Sequence, residues 1–396
     1  MELINKIKQG YERWVTLTPN NLLYDRTLVW LFVILLCIGF IMVTSASIPI
    51  GTRLFDDPFH FSKRDVVYVF LAVVTCYAFL KVPMAKWEKW HVRLFFIALA
   101  LLVLVAIPGI GREVNGARRW IPLAFFNFQP AEFAKLALIC FLASYFTRRY
   151  DEVRSRKLSA VKPFIVVAVF GMVLLLQPDF GSTVVLFVIT FGLLFIVGAH
   201  ILQFVGLLGI GVFLFVFLVV SSSYRLKRFA GFLEPFKDPY GTGFQLSNSL
   251  MAFGRGEISG EGLGNSIQKL EYLPEAHTDF VMAVVGEEFG FIGIIVIVCL
   301  LGLLVFRAMK IGRESLLLEQ RFKGFFAFGI SFWIFFQGFV NLGMAMGLLP
   351  TKGLTFPLIS YGGSSLVIMA ISIAVLLRID HENRLMLGGH ARLRDD

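Results

Sequence analysis

Charge is scarce in this 396-residue chain: Asp, Glu, Lys and Arg together make up 16% of it, where an ordinary soluble domain carries about a quarter. Mean hydropathy is +0.76, and the shortage of charge argues against a soluble globular protein. Cysteine is scarce too. The four present, Cys37, Cys76, Cys140 and Cys299, all lie in apolar runs. No disulfide framework or cysteine metal site is therefore expected, and they read as small core residues. No second histidine stands near His277 in sequence, which speaks for a local hydrogen-bonding role over a metal ligand. Nor is there an inverted repeat of the kind many secondary transporters carry. The opening stretch MELINKIKQGYERWVTLTPNNLLYDR lacks the short charged start and cleavage site of a signal peptide, and reads as a retained cytoplasmic tail.

What the chain has in abundance is apolar windows long enough to span a bilayer, roughly 17–25 residues each. They predict an all-α polytopic membrane protein with about ten transmembrane helices, over 27–47, 65–83, 91–110, 131–147, 162–177, 181–199, 201–222, 279–307, 323–348 and 356–378. Residues 1–26 form an N-terminal tail, 27–378 the membrane domain and 379–396 a C-terminal tail. The net charge of +10 calls for no nucleic acid, because the excess sits in short loops on one side. Lys81, Lys86 and Lys89 fall in the second loop. Arg148, Arg149, Arg154, Arg156 and Lys157 fall in the fourth, and Arg307, Lys310, Arg313, Arg321 and Lys323 in the eighth. With Arg378 and Arg384 after the last span, they put both termini in the cytoplasm. A large extracytoplasmic loop, 223–278, then joins spans 7 and 8, and its apolar content predicts short amphipathic helices at the interface.

Ionisable residues inside spans are costly and need a reason. Glu132 and Lys135 in QPAEFAK lie one turn apart and can pair; a structural ion pair and a functional one are both open. Glu287 and Glu288 in VVGEEFG are either protonated or paired, serving helix packing or chemistry. Gln337 and Asn341 are spaced as a polar stripe facing the bundle interior. SYGGSS (360–365) puts small residues in the tenth span, for close packing or as the lining of a lipid-tail groove. Outside, Arg112, Arg118, Arg119 and Lys352 defy the charge rule, and Arg225, Lys227 and Arg228 stand at the end of span 7. Cations retained there suit an anionic ligand or anionic lipid headgroups. Within EYLPEAHTDF (271–280) three carboxylates, Glu271, Glu275 and Asp279, fall at i, i+4 and i+8, but Pro274 interrupts any helix. Asp279 reads either as the cap of span 8 or as a catalytic carboxylate.

The motifs NGARRW, QPAEFAK, QPDFGST, DPYGTGFQ, GLGNSIQKLEYLPEAHTDF, GEEFG and LLPTKGLTFPLISYGGSS occur in that order along nearly the whole chain. In them the sequence resembles the shape, elongation, division and sporulation (SEDS) proteins, and their cell-division branch more than their elongation branch. The resemblance implies a glycosyltransferase that polymerises lipid II into glycan strands outside the membrane. It places the family's essential aspartate at Asp279, which serves either as a base or as a holder of a divalent cation (Mg²⁺ or Mn²⁺), with no organic cofactor. The essential outer-loop lysine falls on Lys352, the fourth-span lysine on Lys135, and the arginine of the NGARRW motif on Arg119. Glu271 falls where changes affect activation. Substrate binding is expected of Lys352, Arg119, Arg118, Lys135, Glu271 and His277. One departure stands out: relatives often carry Arg where this chain has Asn127, so a substrate contact there is in doubt. The expected partners are lipid II, a class B penicillin-binding transpeptidase, other division proteins and membrane lipids. A lipid II flippase and a non-catalytic division scaffold are the rival readings.

Overall fold

The computed structural model describes residues 24–114, 116–123, 126–155, 159–221, 226, 231–350 and 353–395. Most of the expected N-terminal tail lies outside these, as do Arg156, Lys157, Arg225, Lys227, Arg228 and Lys352. The chain opens with three long helices, α1 (Arg26–Phe55), α2 (His60–Leu80) and α3 (Met84–Ala106). Three short strands follow: β1 (Arg112–Val114), β2 (Ala117–Pro122) and β3 (Asn127–Phe128). Then come α4 (Pro130–Arg148), the short α5 (Tyr150–Ser155), α6 (Val161–Leu176), α7 (Phe180–Val197) and α8 (Ile201–Val220). The large loop contains α9 (Phe244–Gly256), and the chain ends with α10 (Val281–Leu317), α11 (Arg321–Ala345) and α12 (Gly363–Asp395).

Among the described residues, seven helices are long and apolar enough to cross a membrane: α1, α3, α4, α7, α10, α11 and the first 25 residues of α12. Helices α2, α6 and α8 occupy the other three expected segments. The central windows of α4, α11 and α12 are the most enclosed, and α3 lies at the rim. Helix α11 packs on α10, α4 and α7, while α12 packs along α2. Glycines bring α10 and α11 together: a Cβ on Gly312 would stand 2.9 Å from the ring of Phe328 and 3.2 Å from the carbonyl of Gly324. Without side chains in the way, the two backbones approach closely and gain packing contacts where the helices leave the apolar core.

Three expectations need correction. The chain is not wholly α-helical, because residues 112–128 form a small antiparallel sheet of order β1-β2-β3. The signal was available in the Asn115-Gly116 dipeptide between the strands, and Gly116 takes φ +74°. Cys37 and Cys299 are exposed, whereas Cys76 and Cys140 are buried, all four as free thiols. A helix in a membrane bundle is apolar all round, so an apolar run does not say which face is inside. SYGGSS is not wholly inside a helix, since α12 begins only at Gly363. Its serines stitch loops together instead. Ser360 accepts from the Phe356 N–H at 2.7 Å, Ser364 joins Asn127 O and Gln129 N at 2.8 and 2.9 Å, and Ser365 meets Thr355 at 2.9 Å.

At the end of the bundle away from this turn, cations that mark topology also act as ties. Arg307, buried at the end of α10's apolar stretch, donates to Asp25, whose carboxylate also caps α1 through the Leu28 N–H at 3.1 Å. Glu382 of α12 holds Lys323 and Arg378 at 3.0 and 2.9 Å and accepts from the Met84 N–H at 3.0 Å.

Candidate active site

Residues 271–280 are a succession of turns, not a helix, as Pro274 requires. Asp279 is half-buried at their end, and the cap position of α10 falls to Phe280, which makes no side-chain cap bond. The cap position itself thus falls one residue beyond Asp279. Across from it runs the loop 353–356. A Cβ on Gly353 would stand 3.2 Å from Asp279 Oδ2 and 4.0 Å from Arg119 Nη1. A carboxylate and a guanidinium thus converge on one point of that loop, next in sequence to Lys352.

Arg119 reaches this point because the α6–α7 turn holds it. Its Nε donates to Gln177 O at 3.1 Å and its Nη2 to Pro178 O at 2.6 Å. That turn is itself built by QPDFGST. Asp179 caps α7 through the Ser182 N–H at 3.1 Å and its hydroxyl at 2.8 Å, and buried Gln177 donates to Leu102 O at 2.7 Å. Arg118, the preceding residue on β2, takes the opposite face, as strand alternation dictates. It pairs with Glu113 across the hairpin at 2.8 Å. The two arginines therefore separate, and only Arg119 joins Asp279.

Glu271, His277 and Lys135 are held by partners of their own. Glu271 makes two 2.9 Å contacts with Arg53 in the last turn of α1. His277 is buried, with its ring 4.8 Å from that of Phe61 and 5.4 Å from that of Tyr361. Burial pushes its pKa down, against a smaller upward pull from Glu275, so at neutral pH it brings no charge to a phosphate. Its carbonyl accepts from the Tyr361 N–H at 3.0 Å. Lys135 has no exposed surface. Its ammonium lies 2.7 Å from Glu132 Oε1, 2.8 Å from Gln337 Oε1 and 5.1 Å from the centre of the Trp333 ring. The expected pair forms and is enclosed, and it connects to the loop 353–356 through Gln337, whose amide donates to Thr355 O at 2.9 Å.

Glu287 and Glu288 are both paired, and their partners were not legible in sequence. Glu287 accepts from Ser266 Oγ, Ile267 N and Gln268 N at 2.5, 2.9 and 3.2 Å. Glu288 accepts from Lys269 Nζ at 2.6 Å and Ser45 Oγ at 2.7 Å. Just beyond them α10 breaks at Gly290, with φ +63° and ψ −160°, a conformation only glycine adopts without strain. The break frees backbone groups that an intact helix would pair internally. The loop after α9 takes them up. The N–H groups of Glu261 and Gly262 donate to Glu287 O and Glu288 O at 3.0 and 2.9 Å. Those of Phe291 and Ile292 donate to Glu257 O and Ile258 O at 2.9 and 3.1 Å. Helix α9 does form in the expected loop, but its buried face packs on α10 and α11.

Among the described residues, no three His, Cys, Asp or Glu side chains gather to hold a metal ion. The lone carboxylate of Asp279 fits a divalent cation only where substrate phosphates supply most of the ligands, which is a common arrangement for Mg²⁺.

Fold and site together define a polytopic membrane protein that gathers its polar chemistry at one end of the bundle. Residues 26–385 match the model of the FtsW, RodA and SpoVE family, described as cell cycle protein. The chain belongs to this family, the SEDS proteins. It is 78% identical over 396 residues, the full length of both chains, to a probable peptidoglycan glycosyltransferase FtsW of Pasteurella multocida. It is 71% identical, again over the full length of both, to the protein of that description in Haemophilus influenzae. Among solved structures, a chain of a peptidoglycan synthase complex that coordinates polymerization and crosslinking aligns with TM-score 0.73 and 30% identity, covering 91% of this chain and 98% of that one. The rod-shape-determining protein RodA of Thermus thermophilus aligns with TM-score 0.67 and 28% identity, covering 91% and 97%.

Proposed function

We propose that this protein is a septal peptidoglycan glycosyltransferase, polymerising lipid II into glycan strands and releasing undecaprenyl pyrophosphate. The observation that carries the reading is the meeting of Asp279 and Arg119 over the loop 353–356, in a chain whose full-length relatives are described as probable peptidoglycan glycosyltransferases. The ten helices that occupy the expected segments serve as ten spans in a bacterial inner membrane. Both termini are cytoplasmic, and the site and the loop 223–278 face the periplasm, following the basic residues of the opposite end.

In the reaction the acceptor's sugar 4-hydroxyl oxygen bonds to the donor's anomeric carbon with inversion. The bond from that carbon to the pyrophosphate breaks, and undecaprenyl pyrophosphate leaves with the electron pair. Asp279 takes or orients the hydroxyl proton. Arg119, with Nε and Nη2 fixed on the 177–178 carbonyls, presents Nη1 towards the leaving pyrophosphate, and Lys352 adds a second cation. A divalent cation, when bound, would neutralise the pyrophosphate further. The flippase reading would draw on Glu132 and Lys135, but these are closed on each other and on Gln337. A class B penicillin-binding transpeptidase is the proposed partner, as the similarity to a synthase complex supports.

The test is a gel assay of glycan length, using purified protein with its transpeptidase partner, lipid II and Mg²⁺ or Mn²⁺. Long strands are expected; their absence, with partner and substrate verified as competent, overturns the reading. In the same assay Lys352→Ala should lower strand synthesis by about 100-fold, the scale of losing one transition-state charge contact, with Lys352→Arg restoring part of it. Wild-type synthesis by the Ala variant would remove Lys352 from the site.

A further inference from the structure

Buried inside α11, Asn341 has no exposed surface, and its Oδ1 finds no hydrogen-bond partner among the described residues. An orphaned buried carbonyl costs stability, and an apolar residue of similar size would avoid that cost. What an apolar residue could not supply is the amide nitrogen. Nδ2 donates to the main-chain O of Asp279 at 2.8 Å and to that of Leu354 at 2.6 Å. One NH₂ group therefore bridges the turn that carries Asp279 and the loop that faces it. The amide's orientation is fixed by its neighbours, since both are carbonyls and both need a donor.

Gln337 repeats the device one turn earlier. Its Nε2 donates to Thr355 O at 2.9 Å, while its Oε1 is held by Lys135 Nζ and Trp333 Nε1 at 2.8 and 2.7 Å. The two amides, four residues apart on one helix face, grip consecutive carbonyls of the loop, those of Leu354 and Thr355. Only Asn341 also grips the Asp279 turn. The tolerance on the far side is small, because a Cβ on Gly353 would stand 3.2 Å from Asp279 Oδ2, tight enough that the carboxylate would have to give way.

We infer that Asn341 is a positioning residue that sets the spacing between Asp279 and the 353–355 loop, and through it the geometry of the transfer step. The inference rests on the proposed catalytic role of Asp279. Misplacing a catalytic group by about 1 Å can cost about 100-fold in rate.

The experiment measures kcat and KM for lipid II polymerisation by the full chain with its transpeptidase partner. It compares wild type, Asn341→Ala, Asn341→Gln, Gly353→Ala and Asp279→Asn, with a thermal unfolding midpoint for each. Asn341→Ala should lower kcat by about 100-fold, with KM within about threefold and an unfolding midpoint lowered, because two carbonyls lose their donor, but still above the assay temperature. Asn341→Gln, which keeps an amide, should recover part of the loss. Gly353→Ala, which adds one methyl against the Asp279 carboxylate, should lower kcat by about tenfold with an unchanged midpoint. A folded Asn341→Ala protein with wild-type kcat overturns the inference, as does a loss in KM alone. If Asn341→Ala does not fold, Gly353→Ala decides, and a wild-type kcat there also overturns it. An active Asp279→Asn protein sinks the reading of Asp279 and this inference with it. An inactive one beside a fully active Asn341→Ala sinks the inference alone.

Discussion

Asp279→Asn leaves a folded protein that binds lipid II and makes no long glycan strands. The exchange keeps the size of the side chain and removes its capacity to take a proton. A positioned general base contributes about 100- to 10,000-fold, so the polymer signal should fall by at least the lower figure. The fold should survive because asparagine keeps the size and hydrogen-bonding oxygen of the side chain, and because Asn341 holds the main-chain oxygen of Asp279. Strand length on a gel, binding of a fluorescent lipid II analogue and the unfolding midpoint together check this. Strands of wild-type length would strip Asp279 of its role, and an unfolded variant would make its carboxylate structural.

Glu288→Leu should lose about 3–5 kcal/mol of stability, the usual cost of removing one partner from a buried ion pair. Glu288 and Lys269 are both buried and lie 2.6 Å apart, and Ser45 Oγ, 2.9 Å from the ammonium, cannot replace the lost charge. Replacing both, in Lys269→Met/Glu288→Leu, should recover most of the loss, because two apolar residues leave no uncompensated charge. The pair fastens the loop just before Glu271 to the broken helix α10, so the single variant should also lose strand synthesis. Thermal unfolding of the purified single and double variants tests this. Equal instability in both would show that the geometry of the loop, and not the charge balance, depends on the pair.

Much of the site was legible because its members carry local signals. Asp279 stands where polar turns meet an apolar run. Gln337 and Asn341 show the spacing of one helix face, and both are fully buried as expected. The Glu132–Lys135 pair follows from a three-residue offset. The illegible part consists of partners distant in sequence. Arg119 is held by carbonyls 58 and 59 residues away, and Glu288 meets Ser45 across 243 residues. Arg118 and Arg119 look alike as neighbours in a motif. The β1–β2 hairpin puts them on opposite faces.

The sequence by itself determined the class of protein and the places of its helices, although α1 runs on to Phe55, α10 to Leu317, and the last helix begins only at Gly363 and continues to Asp395. In hydrocarbon every backbone polar group must be paired within its own segment, so length and apolarity suffice to mark a helix. Only the tertiary structure decided what the buried charges and amides do there. It broke α10 at Gly290, fed the loop after α9 into the gap and turned SYGGSS into a junction of loops. It also set one asparagine between Asp279 and the loop opposite. A buried polar group must find a partner somewhere in the fold, and no local pattern says where along the chain that partner lies.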